Sequence, residues 1–307
     1  MWVNVVIPVK NGARFIGEAV ASALGQAHVQ RVIVVDDGSS DGSADIAARI
    51  GDQRVTVIQG DKRGVSAARN LGFAEVERLM PVEQREDSWV IFLDADDRLV
   101  PGATDKLLEG VRADCVAVYG DYDRIDADGR RIGRRSLLRR RRKPSGEILR
   151  DLLAGNFIVN GGVMLIRHAQ LLRAGGFDET LRYCEDWHLF CRLAAQGPMV
   201  WRPRTKVLEY RIHPSSAMMS GGVNFNHYRA AVERVFTDPM ITGKVGDAEL
   251  VRLRRKAEQH LRTYLACQAV RAGAFGRAMK ETTEAIALLP SRTPRTLARA
   301  LGALAGL

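Results

Sequence analysis

The run Asp94-Ala95-Asp96-Asp97, directly behind the apolar stretch WVIFL, is the strongest chemical signal in this chain of 307 residues. Residues i and i+2 of an extended segment point the same way, so Asp94 and Asp96 can face one site. Carboxylates held that close repel one another unless a cation or a proton intervenes. A hard divalent cation, Mn2+ or Mg2+, takes one or two such oxygens and fills its shell with phosphate oxygens and water. A solvated acidic turn would have the same composition; the buried strand in front of it is what argues for a ligand. A second pair, Asp36-Asp37, ends another apolar run and opens DDGSSDG. A carboxylate there can accept from the ring N–H of a base or from ribose hydroxyls. The Gly and Ser residues suit a tight turn into a capped helix, which is also the simpler reading of the motif. A third pair, Glu185-Asp186, heads a helical pattern, where first-turn carboxylates are favoured by the helix dipole.

These groups need a frame. Trp2 to Val9 is a continuous apolar run that suits a buried parallel strand, and Arg31 to Val35, Arg54 to Gln59 and Trp89 to Leu93 repeat the pattern. Between them Ala13 to Leu24, Ser43 to Ile50 and Gly64 to Met80 read as helices. Strands alternating with helices imply right-handed crossovers and a parallel sheet covered on both faces. Ligands bind beyond the carboxyl ends of such strands. Three of those ends are chemically loaded here, with PVKN, DDGS and DADD. Farther on, Cys115 to Tyr122, Gly162 to Ile166 and Val207 to Ile212 read as strands and Asp186 to Gln196 as a helix. From about Asn224 the pattern is helical throughout, with one segment resembling half of a helical hairpin but no repeat array.

Composition sets the outer bounds. An apolar fraction of 46% and a charged fraction of 27% are ordinary for a globular chain. The net charge of +10 points to polyanionic surroundings without choosing among them, and much of the excess sits in GRRIGRRSLLRRRRK, Gly129 to Lys143. The four cysteines show neither a C-x-x-C pair nor a disulfide framework and read as small buried hydrophobes in a reducing compartment. The first residues lack the pattern of a signal peptide, and no stretch reaches the ~18 apolar residues that span a bilayer. The expectation is therefore a cytoplasmic protein. There is no G-x-G-x-x-G after the first strand and no G-x-x-x-x-G-K-[ST], so a nucleotide would be held by carboxylates and a metal rather than by a glycine cradle.

In order and spacing, VVIPVKNG, Ser22 and Gln26, VVDDGSSDGS, GVSAARNLG, IFLDADD, GGFDETLRYCEDWHLFCRLA and YRIHPSSAM resemble the inverting glycosyltransferases of family 2. The resemblance covers about residues 3 to 218. It implies an α/β chain of the GT-A fold, with a Rossmann-like, mostly parallel central sheet, helices on both faces and a helical C-terminal extension. The catalytic domain would span 1–222, its nucleotide-binding half about 1–112 and its acceptor half about 113–222, with 223–307 as the extension. The implied activity is transfer of a sugar from a nucleotide-diphosphate donor, UDP by family analogy, to a hydroxyl of a glycan or lipid-linked acceptor in cell-surface or secreted glycan biosynthesis.

The resemblance also assigns residues. Asp37, with Asp36 beside it, matches the aspartate that reads the uracil edge. Pro8, Val9, Lys10, Asn11, Arg69, Asp94 and Ala95 join them on the donor side. Asp96 would hold Mn2+ or Mg2+, with His213 as a helper for the metal or diphosphate. Asp186 matches the catalytic base, and Gly161, Gly162, Glu185 and Trp187 fall on the acceptor side. The chemistry is consistent: inverting transfer needs one base for the acceptor hydroxyl and a cation for the departing diphosphate. Two positions depart from the family pattern. Lys10 stands where an aromatic residue commonly stacks on the base, and His188 where an acidic or polar residue is frequent; with Glu185 it could form a second metal pair.

The basic stretch Arg130 to Lys143 reads as a solvated hairpin or as an electrostatic contact with anionic lipid, which would place the protein peripherally at the inner face of the membrane. It lacks the interleaved aromatics that nucleic-acid binding would want. The helical tail could cover a sheet edge, dimerise or rest on a membrane. Two other functions fit parts of the pattern: a nucleotidyltransferase, which would want a phosphate loop that PVKNG does not supply, and a catalytically silent scaffold, against which Asp94, Asp96 and Asp186 count.

Overall fold

The structure, a computed structural model, describes residues 1–132, 142–213 and 224–304. Its first half runs β1 (Trp2–Val9), α1 (Ile16–Leu24), β2 (Val29–Asp36), α2 (Ser43–Ala48), β3 (Val55–Gln59), α3 (Val65–Leu79), β4 (Ser88–Phe92), β5 (Arg98–Leu99), α4 (Ala103–Leu108) and β6 (Ala117–Ile125). Then come α5 (Leu149–Leu153), β7 (Met164–Arg167), α6 (His168–Ala174), α7 (Glu185–Ala194) and β8 (Met199–Arg211). The helices α8 (Phe225–Thr237), α9 (Pro239–Thr242), α10 (Asp247–Arg271), α11 (Phe275–Leu288) and α12 (Thr293–Leu304) close the chain.

The strands form one sheet in the order β3-β2-β1-β4-β7-β6-β8-β5. β1 pairs in parallel with both β2 and β4, and β2 with β3, as the alternating pattern requires. The far half is mixed: β7 runs antiparallel to β4 and β6, and β5 antiparallel to β8. The apolar runs lie in this sheet because both its faces are covered; Val3, Val5, Val6, Ile7, Val32, Ile33, Val34, Val35, Val90 and Ile91 are all fully buried. Two strand features escaped the periodicity. β5 is only two residues long, and β8 starts at Met199 rather than Val207 because WRPRTK is polar and partly exposed although it pairs with β6.

Strand order reverses between β1 and β4, the switch point where a crevice opens in sheets of this kind. Pro8 helps to end the pairing there. The Val6 carbonyl accepts from the Leu93 amide on the β4 side, and Val9 accepts from Asp37 on the β2 side. Backbone groups alternate sides along a strand, so the N–H that Pro8 lacks would face the β4 side beyond the last ladder bond.

The helix α3 packs tightly on this sheet at Gly72. A Cβ there would lie 2.4 Å from Val6 Cγ1 and 3.0 Å from Val35 Cγ2. Both valines are fully buried in central strands and have no room to retreat. Gly72→Ala is therefore expected to destabilise the chain by about 1–3 kcal/mol through overpacking, despite alanine's better helix propensity. A urea midpoint equal to or above wild type would contradict this packing.

The chain divides into two compact units. The first holds Met1–Arg131, Arg142–Ile148 and Ile158–Ile212 and contains the whole sheet; among the described residues the second gathers Ile132, Leu149–Phe157 and His213 with 224–304. The short helix α5 thus belongs with α10 rather than with the residues around it in sequence, because its apolar side chains Leu149, Leu152 and Leu153 are buried. No described helix is long and apolar enough to cross a membrane.

Candidate active site

The loops at the carboxyl ends of β1 and β2 are tied to each other. Asn11, in the left-handed region at φ 53°, donates its amide to Ser39 Oγ and accepts from the Ser40 amide through Oδ1. The next two amides, of Gly12 and Ala13, donate to Ser43 Oγ and Asp41 Oδ2. The DDGSSDGS segment therefore does more than cap α2: its hydroxyls and carboxylates fix the PVKN turn. Lys10 is exposed at the tip of that turn, between Val9 in the strand and Asn11.

Asp36 and Asp37 are both buried, at 4% and 3% exposure, but they do different things. Asp36 Oδ1 accepts from the Ser39 amide and closes the turn. Asp37 Oδ2 accepts from the Gly64 amide at the start of α3. Its other oxygen, Oδ1, is buried with no hydrogen-bond partner among the described residues. A buried acceptor left unpaired costs about 1–3 kcal/mol, so such an atom calls for a ligand.

The acidic groups converge on one guanidinium. Arg69, from α3, is 4% exposed in its side chain. Its Nη2 donates to Asp94 Oδ1 at 2.7 Å, and its Nη1 reaches Glu185 Oε1 at 2.9 Å and Asp186 Oδ1 at 3.4 Å. The Phe177 ring lies beneath it at 5.0 Å. One cation thus faces three carboxylates, one from the end of β4 and two from the first turn of α7. Burial pushes the Asp186 carboxyl up to about 7; Arg69 pulls the other way, while Glu185 and Asp94 add to the rise. Arg69 itself is held more firmly protonated than a free guanidinium by the three acids. The turn into α7 is strained: Cys184, just before Glu185, sits at φ 59°.

Behind Asp94 lies a second layer. Asp97 is 1% exposed and accepts from Asn160 Nδ2 at 2.7 Å and from the Arg211 amide at 2.8 Å. The same Asn160 amide reaches Asp94 Oδ2 at 3.1 Å. Burial, with Asp96 and Asp94 nearby, holds the Asp97 carboxyl well above the usual carboxylate range. Arg211, also 1% exposed, donates to the Asp96 carbonyl and to Glu18 Oε2 and lies over the Phe15 ring. Asn160, Arg211 and Glu18 were not singled out from the sequence. Asn160 carried a faint signal, a lone amide ahead of GG between apolar residues; Arg211 and Glu18 carried none, because nothing local marks an arginine as buried.

Other expected residues fall in place differently. Asp94, Ala95 and Asp96 are half-buried on the turn after β4. Gly161 and Gly162 are buried, and a Cβ on Gly161 would meet the Phe92 Cβ at 2.9 Å and its carbonyl oxygen at 3.0 Å. These glycines let the backbone pass close to β4. Trp187 turns into the core and is 1% exposed, so in this structure it offers a ligand no surface; it anchors α7. His188 is likewise buried on that helix, and among the described residues no group of three or more His, Cys, Asp or Glu side chains is arranged to hold a metal ion. His213 lies two residues beyond β8, in the second unit. The basic stretch falls partly outside the described residues, at 133–141; of its described cations Arg130 pairs with Asp128, Arg131 with Asp123 and Lys143 with Asp121.

Comparison with known proteins bears on this arrangement. A family model described as glycosyl transferase family 2 matches residues 4–175. The succinoglycan biosynthesis protein ExoU of Rhizobium meliloti (strain 1021) is 31% identical over an alignment of 217 residues that covers 64% of this chain and 57% of that protein. An uncharacterized glycosyltransferase of Rickettsia typhi is 27% identical over 236 residues, 74% of this chain and 69% of its own length. Among solved structures, S. aureus TarS 1-349 in complex with UDP-GlcNAc is similar in fold, with a TM-score of 0.64 at 15% identity over 99% of this chain and 89% of that one. The mannosyltransferase PcManGT from Pyrobaculum calidifontis, in complex with GDP-Man and Mn2+, gives 0.57 at 18% identity over 97% and 79%. At these identities the structural likeness speaks for the fold, which is GT-A.

Proposed function

The chain belongs to glycosyl transferase family 2, and on that premise we propose that it moves a sugar from a nucleotide-diphosphate donor to an acceptor hydroxyl, with inversion and with Asp186 as the general base. The observation that carries this reading is the meeting of Asp94 and the Glu185-Asp186 pair on the single guanidinium of Arg69. That contact sets a group able to take a proton next to a donor-side carboxylate at the edge where such sheets bind ligands.

The roles follow from the environment of each group. Asp37 accepts the ring N–H of the donor's base through its unpartnered Oδ1; uracil supplies one, and UDP is the donor nucleotide in this reading. Pro8 to Asn11 border the base, held by the Ser39, Asp41 and Ser43 contacts. Asp186, with its carboxyl near 7, takes the acceptor's proton as the hydroxyl attacks the anomeric carbon. Arg69 keeps that carboxylate aimed. The similarity to a succinoglycan biosynthesis protein supports an acceptor of glycan type in polysaccharide assembly.

The residues fit a divalent cation such as Mn2+ or Mg2+. Asp94, Asp96 and Asp97 share one turn, where burial, with Asp96 and Asp94 nearby, drives Asp97 toward its protonated form, and Asp94 is engaged by Arg69 and Asn160. By the family resemblance Asp96 is the carboxylate that would hold the ion, with the donor's phosphate oxygens and water completing the shell. Such an ion, when bound, neutralises charge on the diphosphate leaving group.

Donor binding across a panel of nucleotide sugars, with Mn2+, Mg2+ or EDTA, tests the reading in wild type and Asp96→Ala. One donor is expected to bind only with metal and to lose more than about tenfold in affinity in the variant, since a Lewis-acid contact is worth several kcal/mol. A folded protein that binds no donor under any metal condition would favour the silent-scaffold alternative.

A further inference from the structure

The second unit holds a group of cations that sugar transfer does not use. Two helices and one turn contribute to it: α10, the turn before α12, and α12 itself. Arg295 and Arg299, four residues apart on α12, share one face, and Arg292 lies in the turn before it. With His260, Gln259, Thr263 and Thr296 they line a small recess open to solvent, and among the described residues no acidic side chain contributes to its wall. α12 begins at Thr293, which adds the positive end of a helix dipole to the same place.

Several other arginines of this unit are matched by acids. Arg254 pairs with Glu233 and Glu258, and Arg262 with Glu281. Arg292 and Arg299 make no side-chain ion pair or hydrogen bond among the described residues. An anion held between the guanidinium groups of Arg292 and Arg299 would offset their mutual repulsion.

The polar floor of the recess is ordered. Gln259 Nε2 donates to Thr296 Oγ1 at 2.8 Å and lies near Thr263 Oγ1 at 3.3 Å. The His260 ring is wedged against the chain at Gly155, where a Cβ would come within 2.6 Å of it. Burial and the three arginines push His260 down to about 4, so near neutral pH it is an uncharged ring; its one N–H is engaged by the Asn156 backbone, and the ring forms part of the floor without adding charge.

We propose that this recess is an anion site for a phosphate group, bound by Arg292 and Arg299 with His260 at its floor. Guanidinium forks match phosphate oxygens in pairs, which carboxylate-free arginine clusters exploit. The phosphate can be carried by a membrane lipid headgroup or be free in solution; the chemistry at the recess is the same. The site shares no residue with the Arg69 cluster, so it stands or falls apart from the transferase reading.

The test uses the full chain, titrated with inorganic phosphate at constant ionic strength. In parallel the protein is sedimented with vesicles of phosphatidylcholine alone or with phosphatidic acid added. Wild type is expected to bind phosphate saturably, and Arg292→Gln/Arg299→Gln to lose at least about tenfold in affinity. Arg229→Gln, an exposed change on α8, is expected to bind as wild type. The single variant Arg299→Gln, also at an exposed position, gives the same ordering should the double variant fail to fold. Capture on phosphatidic acid vesicles, competed by phosphate and weakened in the variant, assigns a lipid source. Phosphate binding without capture assigns a soluble one. Absence of saturable binding to either probe, or equal binding by wild type and Arg299→Gln, overturns the proposal.

Discussion

Asp186→Asn is expected to lower turnover by about 10²- to 10⁴-fold, the usual contribution of a positioned general base, while the affinity for the nucleotide-sugar donor stays within about twofold of wild type. The substitution keeps the shape and most hydrogen-bonding capacity of the side chain and removes only its ability to accept a proton. The pH profile gives an independent reading. Burial raises the Asp186 carboxyl from 3.8 to about 7, so kcat/KM of the wild type should climb with pH and level off above about 7. The variant's residual rate should lose that step. An unchanged rate, or a profile whose step survives in Asp186→Asn, would show that another group takes the proton.

The largest effect on stability is expected at Arg69. Arg69→Met preserves much of the side chain's apolar volume over Phe177 but leaves Asp94, Glu185 and Asp186 facing one another without a cation. Removing one partner of a buried ionic cluster costs about 3–5 kcal/mol. The loss is pH-dependent, and its sign can be stated. Carboxylates left in that position titrate above their unfolded values, so the native state binds more protons than the unfolded one. Stability then falls as pH rises. The same holds in weaker form for wild-type Asp186: its contribution is complete below about 4 and is lost as pH rises through about 7. Urea unfolding of Arg69→Met at pH 8 and pH 5.5 should therefore show the larger deficit at pH 8. An equal deficit at both pH values would mean that lost packing, rather than unpaired charge, accounts for the change.

Both predictions rest on residues whose chemical types were visible in the sequence but whose encounter was not. Asp186 lies 117 residues from Arg69 in the chain. Periodicity located the ends of β1, β2 and β4 and the first turn of α7, because apolar runs and carboxylates at their ends follow from burial and pairing rules that act locally. Asp37 was placed correctly at a sheet edge, yet only the packing of α3 shows that one of its oxygens is satisfied by Gly64 and the other by none of the described residues.

What the sequence determined by itself is the alternating parallel core, the acidic strand ends beside the β1–β4 switch point and the family to which they belong. Each is written in short-range patterns of apolar and polar residues. What the tertiary structure decided is which charges meet. Arg69 could have been a surface cation of α3; desolvation by the sheet and by Phe177 made it the hub of three acids. Trp187 could have faced an acceptor; the turn of α7 set it in the core. Arg211 and Asn160 became supports of the Asp94–Asp97 turn because β8 and the segment before β7 pass behind it. Burial and long-range pairing depend on how elements pack, and no local pattern of residues encodes that.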